Sequence, residues 1–355
     1  MHPRLRNIRY SATSVFVAVG VVAGLVAIPV VRLEGRAAAD TLTSGAGPSR
    51  FSWYPNQPAL APSAINDNEF GQLFSATLDG QVYAQPLVSQ GTLLAVTENN
   101  SAYGIDPVTG SINWQHNYGT AFNPSVLSCG DLTPKIGITA TPVIDPATNI
   151  GYFTSKVATA ADSSSSAWYM HAVNVGTGVE QAGFPVLIQG TATNDSGTTF
   201  HAQFQMQRTG LALVNGVVYA GFGGHCDYPP YLGWVVGVST SSASITSMWA
   251  DETGQNSGGG AGIWQAGGAP VVDATGHLFY ATGNGTTPAS GPAIGSPQPQ
   301  GLGECVIKLN TTTNVMGNAI VGRLSIADWF CPAAAEQLNA FDGDFGSGGP
   351  AALPA

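Results

Sequence analysis

The chain has 355 residues, of which only 9 % are charged, whereas 46 are glycine and 23 are proline. This composition favours short strands joined by tight turns and excludes long helices with charged, solvated faces. The net charge is −10, and five of the eleven basic residues precede position 40. The remainder therefore has no basic surface for nucleic acid or anionic lipid.

The first 39 residues have the pattern of an export signal. Arg4, Arg6 and Arg9 form a positive head, residues 15–31 are uncharged and apolar, and residues 37–39 are three alanines suited to a signal peptidase. The alternative is an uncleaved signal anchor, because the apolar stretch is only slightly shorter than a spanning helix. Both predict an exported protein, secreted, periplasmic or at the cell surface, that contacts a membrane only through this segment.

One short phrase occurs twice in the chain. Residues 140–154 read ATPVIDPATNIGYFT, and residues 268–282 read GAPVVDATGHLFYAT, without a gap between them. Looser copies start near 86, 210 and 350. Each copy reads as an apolar strand, a turn and a second apolar strand, which predicts a β-hairpin.

Each hairpin is followed by a second repeated phrase. It reads YGIDPVTG from Tyr103, HAVNVGTG from His171 and IKLNTTTN from Ile307, and a poorer copy starts at Val236. Asp or Asn in the fourth position can accept backbone N–H groups in a turn, and glycine supplies a positive φ at its end. The pattern therefore predicts a third strand, a turn and a fourth strand, with a tryptophan such as Trp114 packed over the neighbouring unit.

In these residues the chain resembles the PQQ-like β-propeller repeat proteins, named after pyrroloquinoline quinone. The resemblance runs from about residue 80 to 355 and rests on Pro142, Val143 and Tyr152, on Tyr103 to Gly110 with Trp114, and on Pro270, Val271 and Tyr280. It implies an all-β propeller of four-stranded antiparallel blades over residues 70–355. Four blades are expected near 80–120, 136–190, 205–250 and 262–322, and a further one is expected to start at 345.

Such rings normally have seven or eight blades, so about four blades predict an incomplete ring. The alternatives are a genuine four-bladed ring and a ring assembled from two chains. Residues 40–69 are expected to form an extended N-terminal segment. FGQLFSATL at 70–78 is expected to be a single outermost strand, because propellers often combine strands from both termini in one blade.

The resemblance also implies candidate site residues. Quinone-dependent dehydrogenases of this family hold PQQ over a tryptophan, bind Ca²⁺ through a Glu and an Asn, and use an Asp as base. By position, Trp264 matches the tryptophan, Asn284 the Asn ligand and Asp342 the base, with Asp344 as a further metal ligand. The family's Glu ligand, partner Arg and adjacent cysteines have no counterpart that the sequence identifies. Each residue also has an ordinary structural reading, which is a core tryptophan for Trp264, a turn for Asn284, and a loop or a helix N-cap for Asp342 and Asp344.

Four cysteines, Cys129, Cys226, Cys305 and Cys331, permit three disulfide pairings, among which the sequence does not choose. None is spaced as C-x-x-C, which argues against a structural zinc site. The triplet His225, Cys226 and Asp227 suggests a metal or nucleophile cluster, but half of a disulfide in a loop is the favoured interpretation.

The leading functional hypothesis is an exported propeller that binds or scaffolds a protein or small-molecule ligand at its face, with no cofactor required by the residues themselves. The alternative is a dehydrogenase that oxidises alcohols or sugars with PQQ and calcium.

Overall fold

The computed structural model describes residues 40–54, 71–253, 260–287, 299–316 and 319–353. The expected export signal of residues 1–39 lies outside these ranges, as do residues 55–70 of the expected extended segment. Within the described ranges, no helix has the length and hydropathy needed to cross a membrane.

Four antiparallel sheets, here called blades 1 to 4, account for nearly all of the strands. Blade 1 contains β1 (Leu87–Ser89), β2 (Thr92–Val96), β3 (Ser101–Ile105) and β4 (Ile112–Asn117). Blade 2 contains β5 (Val143–Asp145), β6 (Ile150–Ala158), β7 (Ser166–Asn174) and β8 (Val186–Ile188). In both blades the strands pair in chain order, which is the meander expected of a propeller blade.

Blades 3 and 4 repeat this order. Blade 3 contains β9 (Gln205–Met206), which pairs with the end of β11, and then β10 (Ala212–Val214), β11 (Val217–Gly224), β12 (Trp234–Ser239) and β13 (Ser244–Ala250). Blade 4 contains β14 (Val271–Val272), β15 (Leu278–Ala281), β16 (Val306–Met316) and β17 (Ala319–Phe330). The predicted fold class, a propeller of about four four-stranded antiparallel blades, is confirmed.

The predicted turn between the third and fourth strands forms in blades 1 and 2. Asp106 Oδ1 accepts the backbone N–H groups of Val108 and Thr109, each at 2.8 Å. Asn174 Oδ1 accepts from the N–H of Thr177 at 3.1 Å in the same way. The glycines that end these turns, at positions 110 and 178, have φ of +74° and +75°, a conformation that side chains disfavour.

Apolar side chains hold each blade against the next. One buried cluster joins blades 1 and 2, a second joins blades 2 and 3, and a third joins blades 3 and 4. Trp114 lies over the neighbouring blade, and its indole N–H donates to the carbonyl of Val175 at 2.9 Å. Among the described residues, no such cluster joins blade 4 to blade 1, so the blades form an open arc.

Residues 40–54 run along the first strands of three blades. Thr41 exchanges two backbone hydrogen bonds with Val88 of blade 1, and Ile144 of blade 2 donates to the carbonyl of Leu42. Val272 of blade 4 donates to the carbonyl of Pro48 at 3.0 Å. This N-terminal segment therefore connects the first blade to the last.

Two expectations about the ends of the repeats are wrong for the described residues. Residues 71–78 form no strand; instead Ala76 and Leu78 pack against a small buried cluster that contains Tyr103. No strand begins near 345, where a 3₁₀ helix, Phe345–Ser347, follows a short helix α1 (Ala335–Phe341). With three glycines and two prolines in its last eleven residues, this terminal stretch lacks the side chains that a strand packs against its neighbours.

The structure also selects one of the three cysteine pairings. Cys129 is bonded to Cys226, and Cys305 is bonded to Cys331. The first bond links the connection after blade 1 to the end of β11, whereas the second lies within blade 4. Cys226 is thus half of a disulfide, as the sequence analysis favoured.

Candidate functional site

An open cleft of about 310 Å³ lies where β11, the residues before β14 and the residues after α1 meet. Its lining includes Trp264, Asp342 and Asp344, together with Arg208, Cys226 and Asp227. A smaller cavity continues from it past Trp264 toward His225 and Met206. Three of the four residues singled out in the sequence therefore line one cleft, although they lie up to 80 residues apart.

The indole of Trp264 is half-buried and lies against the backbone of two glycines, Gly223 and Gly283. A Cβ atom added to Gly223 would lie 3.1 to 3.2 Å from three atoms of the ring, and one added to Gly283 would lie 3.1 Å from the ring edge. These distances are shorter than ordinary contacts between carbon atoms. Glycine at both positions allows the ring to rest on blades 3 and 4, so Trp264 lies at the interface of the two blades as well as in the cleft.

Asn284 and Asp342 are in direct contact. The amide Nδ2 of Asn284 donates to Asp342 Oδ1 at 2.7 Å. Asp342 ends α1 in the left-handed region, with φ of +57°, so its predicted reading as a helix N-cap is wrong. Asn284 Oδ1 is buried and makes no hydrogen bond with the described residues. An amide oxygen without a partner is costly when buried, so this atom is available to a ligand.

Glu304 is a carboxylate at this site that the sequence analysis missed. Its side chain is fully buried, and Oε2 accepts the N–H of Phe345 at 2.6 Å. The other oxygen, Oε1, has no hydrogen-bond partner among the described residues. Burial raises the pKa of Glu304, and the carboxylates of Asp344 and Asp342 raise it further. The only sequence signal is its position immediately before Cys305, which does not indicate a ligand.

Asp344 shares this negative environment. Burial raises the pKa of the Asp344 carboxyl group, and the charges of Asp342 and Asp227 contribute to the rise. Asp227 comes from the loop after β11 and accepts a hydrogen bond from Tyr231 at 2.8 Å. Like charges this close favour protonation or a bound cation.

The side chains at the cleft carry the chemical groups that bind a hard cation and a flat anionic molecule. Carboxylate and amide oxygens are the ligands that Ca²⁺ prefers, and Asn284 and Glu304 each offer an oxygen without a partner. The indole of Trp264 offers an aromatic face, and Arg208 offers a guanidinium group that suits carboxylates. The residues therefore fit PQQ and Ca²⁺, the cofactors that the resemblance implies.

Known proteins resemble this chain in fold. A scan against protein-family models finds no match, and no curated protein matches the sequence. Among solved structures, the chain is similar to the quinohemoprotein alcohol dehydrogenase ADHIIG from Pseudomonas putida HK5, with 15 % identity and a TM-score of 0.46 over 72 % of this chain and 34 % of that one. The quinohemoprotein alcohol dehydrogenase from Comamonas testosteroni gives 16 % and 0.45 over 71 % of this chain and 35 % of that one.

A further structural neighbour is BamB from Moraxella catarrhalis, at 13 % identity and a TM-score of 0.34, over 73 % of this chain and 66 % of that one. The chain spans about a third of the length of the two dehydrogenases. At these identities and TM-scores the likeness is a coarse one of fold alone.

Proposed function

We propose that the cleft beside Trp264 binds PQQ together with Ca²⁺, and that the protein is a quinone-dependent dehydrogenase of alcohols or sugars. The hydrogen bond of 2.7 Å between Asn284 and Asp342, in the same cleft as Trp264, is the observation that carries this proposal. The resemblance assigns Asn284 to the metal, Asp342 to the base and Trp264 to the quinone from their positions in the sequence alone. In the fold, these three residues lie close together.

Each residue of the cleft would have a separate role in binding or catalysis. Trp264 would cover one face of the flat ring and keep water from it. Asn284 Oδ1 and the carboxylates of Glu304 and Asp344 would hold the cation, which would also offset their mutual repulsion. Glu304 would thereby supply the glutamate ligand that the sequence left unassigned.

Asp342 would act as the base. Its Oδ1 already accepts from Asn284, which leaves Oδ2 to accept the proton of a substrate hydroxyl group. When bound, PQQ supplies the acceptor for the two electrons that an alcohol loses on oxidation. Arg208 would attract the carboxylates of the cofactor.

The binding half of the proposal is tested by titrating the purified protein with PQQ at fixed CaCl₂, following quinone absorbance and tryptophan fluorescence. Replacing Trp264 with alanine should weaken binding about tenfold or more, because a ring stacked on an aromatic side chain contributes about 1–3 kcal/mol. The matched control is Trp53→Ala, since Trp53 is 70 % exposed and lies outside the cleft. Equal affinity of the two variants would refute the site.

The chemical half is tested by dye reduction with primary alcohols and with sugars. Asp342→Asn should retain PQQ but lose nearly all activity, because an amide does not accept the proton. If the unmodified protein binds PQQ and reduces no dye, the binding or scaffold function is the correct one. The exposed side chain of Phe341, 84 % accessible and next to Asp342, favours contact with a partner in that case.

Export is part of the proposal. Both disulfides of the described structure are of the kind that persists in oxidising compartments, which agrees with the export signal expected in residues 1–39. Fractionation of cells that express the full chain should place the protein outside the cytoplasm, with its cysteines oxidised.

A further inference from the structure

A second group of metal-binding side chains lies beside the cleft. The ligand atoms of Cys129, His225 and Cys226 are all within 4.8 Å of one another. Two sulfurs and one imidazole nitrogen form the donor set that Zn²⁺ favours. The cysteines are 97 residues apart in sequence, so the fold, and not a local motif, assembles this group.

The environment of His225 indicates that this group can bind a metal ion. Its side chain is only 2 % exposed, and neither ring nitrogen makes a hydrogen bond with the described residues. A buried ring nitrogen without a hydrogen-bond partner carries a desolvation cost, which a bound ion would offset.

The surroundings suit a metal bound by thiolates. Asp131 Oδ2 lies 3.6 Å from Cys226 Sγ and offers an oxygen for a fourth position. Cys226 lines the cleft, so a reductant and an ion reach the group from solvent.

We propose that reduction of the Cys129–Cys226 disulfide turns this group into a Zn²⁺ site formed by Cys129, Cys226 and His225. A dithiol reductant gives two electrons and two protons to the S–S bond, which breaks into two thiols, while the reductant closes its own disulfide. Zn²⁺ then displaces the two thiol protons and binds the thiolates and the imidazole. This site does not depend on PQQ binding.

The test uses a chain in which Cys305 and Cys331 are replaced by serine, so that only the disulfide in question remains. We expect this protein to bind one more Zn²⁺ per chain after reduction than when oxidised, as measured by metal analysis after desalting. Zn²⁺ should also raise the melting temperature of the reduced form. His225→Phe should weaken Zn²⁺ binding by about tenfold or more, and the new ring can pack against Phe122, which already lies 6.4 Å from the imidazole.

Several results would overturn the site. They are failure of the reduced chain to bind Zn²⁺, equal binding by His225→Phe, and a reduced chain that stays unfolded when Zn²⁺ is present. Equal binding by oxidised protein would place the ion elsewhere. As a matched control, a chain with Cys129 and Cys226 replaced by serine keeps the other disulfide, and reduction of that chain should create no Zn²⁺ site.

Discussion

Glu98 is an acidic side chain held in the interior at the end of β2. It is 1 % exposed, and Oε2 accepts hydrogen bonds from the N–H of Gly137 at 2.6 Å and from the hydroxyl of Thr139 at 3.0 Å. Oε1 has no partner among the described residues. Burial outweighs the hydrogen bonds and a nearby Arg208, and it raises the pKa of Glu98 to about 7.

A raised carboxyl pKa makes the free energy of unfolding fall as pH rises. The folded protein keeps its proton up to about pH 7, whereas the unfolded chain releases it near 4.5, so the stability is fully present below 4.5 and is lost between 4.5 and 7. Glu98→Gln should abolish this loss, with a gain of up to about 3 kcal/mol above pH 7 and little effect at pH 4.5. Urea unfolding at both pH values measures it.

The exposed Glu336 on α1 provides a control, since Glu336→Gln should change stability by less than about 0.5 kcal/mol at either pH. A gain for Glu98→Gln that is the same at pH 4.5 and pH 8 would contradict the assigned pKa shift.

Among the elements, the N-terminal segment has a larger role than its single short 3₁₀ helix, Ser44–Ala46, suggests. Arg50 fastens it to blade 4, because Nε donates to the carbonyl of Pro270 at 2.8 Å. The same guanidinium donates to Thr43 Oγ1 and to the carbonyl of Ser44, each at 2.8 Å. One side chain therefore fixes the fold of the segment and its contact with the last blade.

Replacing Arg50 with alanine removes three hydrogen bonds and leaves a buried carbonyl without its donor. We expect a loss of about 2–3 kcal/mol in the free energy of unfolding. Arg323, which is exposed on β17, is the matched control, and Arg323→Ala should stay within about 0.5 kcal/mol of the unmodified protein. Thermal melts of the two variants measure this difference in stability. Coincident melting curves would show that the N-terminal segment does not help to hold the blades together.

For the whole molecule, the two disulfides differ in how much chain they close. Cys129–Cys226 spans 97 residues and joins the region after blade 1 to blade 3, whereas Cys305–Cys331 spans 26 residues inside blade 4. A crosslink that closes a longer loop removes more conformational entropy from the unfolded chain.

Serine substitution of Cys129 and Cys226 should therefore destabilise the protein by about 1 kcal/mol more than serine substitution of Cys305 and Cys331, from the logarithmic dependence on loop length. Guanidinium unfolding of the two double variants under oxidising conditions gives the comparison. The reverse order would show that the chain-entropy argument does not govern this propeller.

The candidate site was predictable only in part. Trp264, Asn284, Asp342 and Asp344 were reached through resemblance to a family, and the structure places them together. No sequence pattern marks Glu304 or Arg208, since each stands in a loop, and Asp227 is marked only through the triplet that it forms with His225 and Cys226. Their participation follows from the packing of blade 4 on blade 3, which no local signal encodes.

The strand register within the hairpins was also not predictable from the sequence alone. The repeated phrase aligns Val143 with Val271 and Tyr152 with Tyr280, yet Val143 pairs with Tyr152 whereas Val271 pairs with Phe279. Seven residues separate the paired positions in blade 4 and eight separate those in blade 2, and Asp273 accepts the N–H groups of Thr275 and His277 within the shorter connection. A gap-free alignment thus predicts the hairpin but not the partner of each residue.

By itself, the sequence determined the hairpins, their turns and the repetition of four-stranded units, because these follow from side-chain alternation and turn residues a few positions apart. Only the tertiary structure decided the disulfide pairing, the course of residues 40–54 along the first strands, and the convergence of Trp264 with distant carboxylates. Those features depend on how blades stack, and stacking is set by apolar surfaces that meet across dozens of residues.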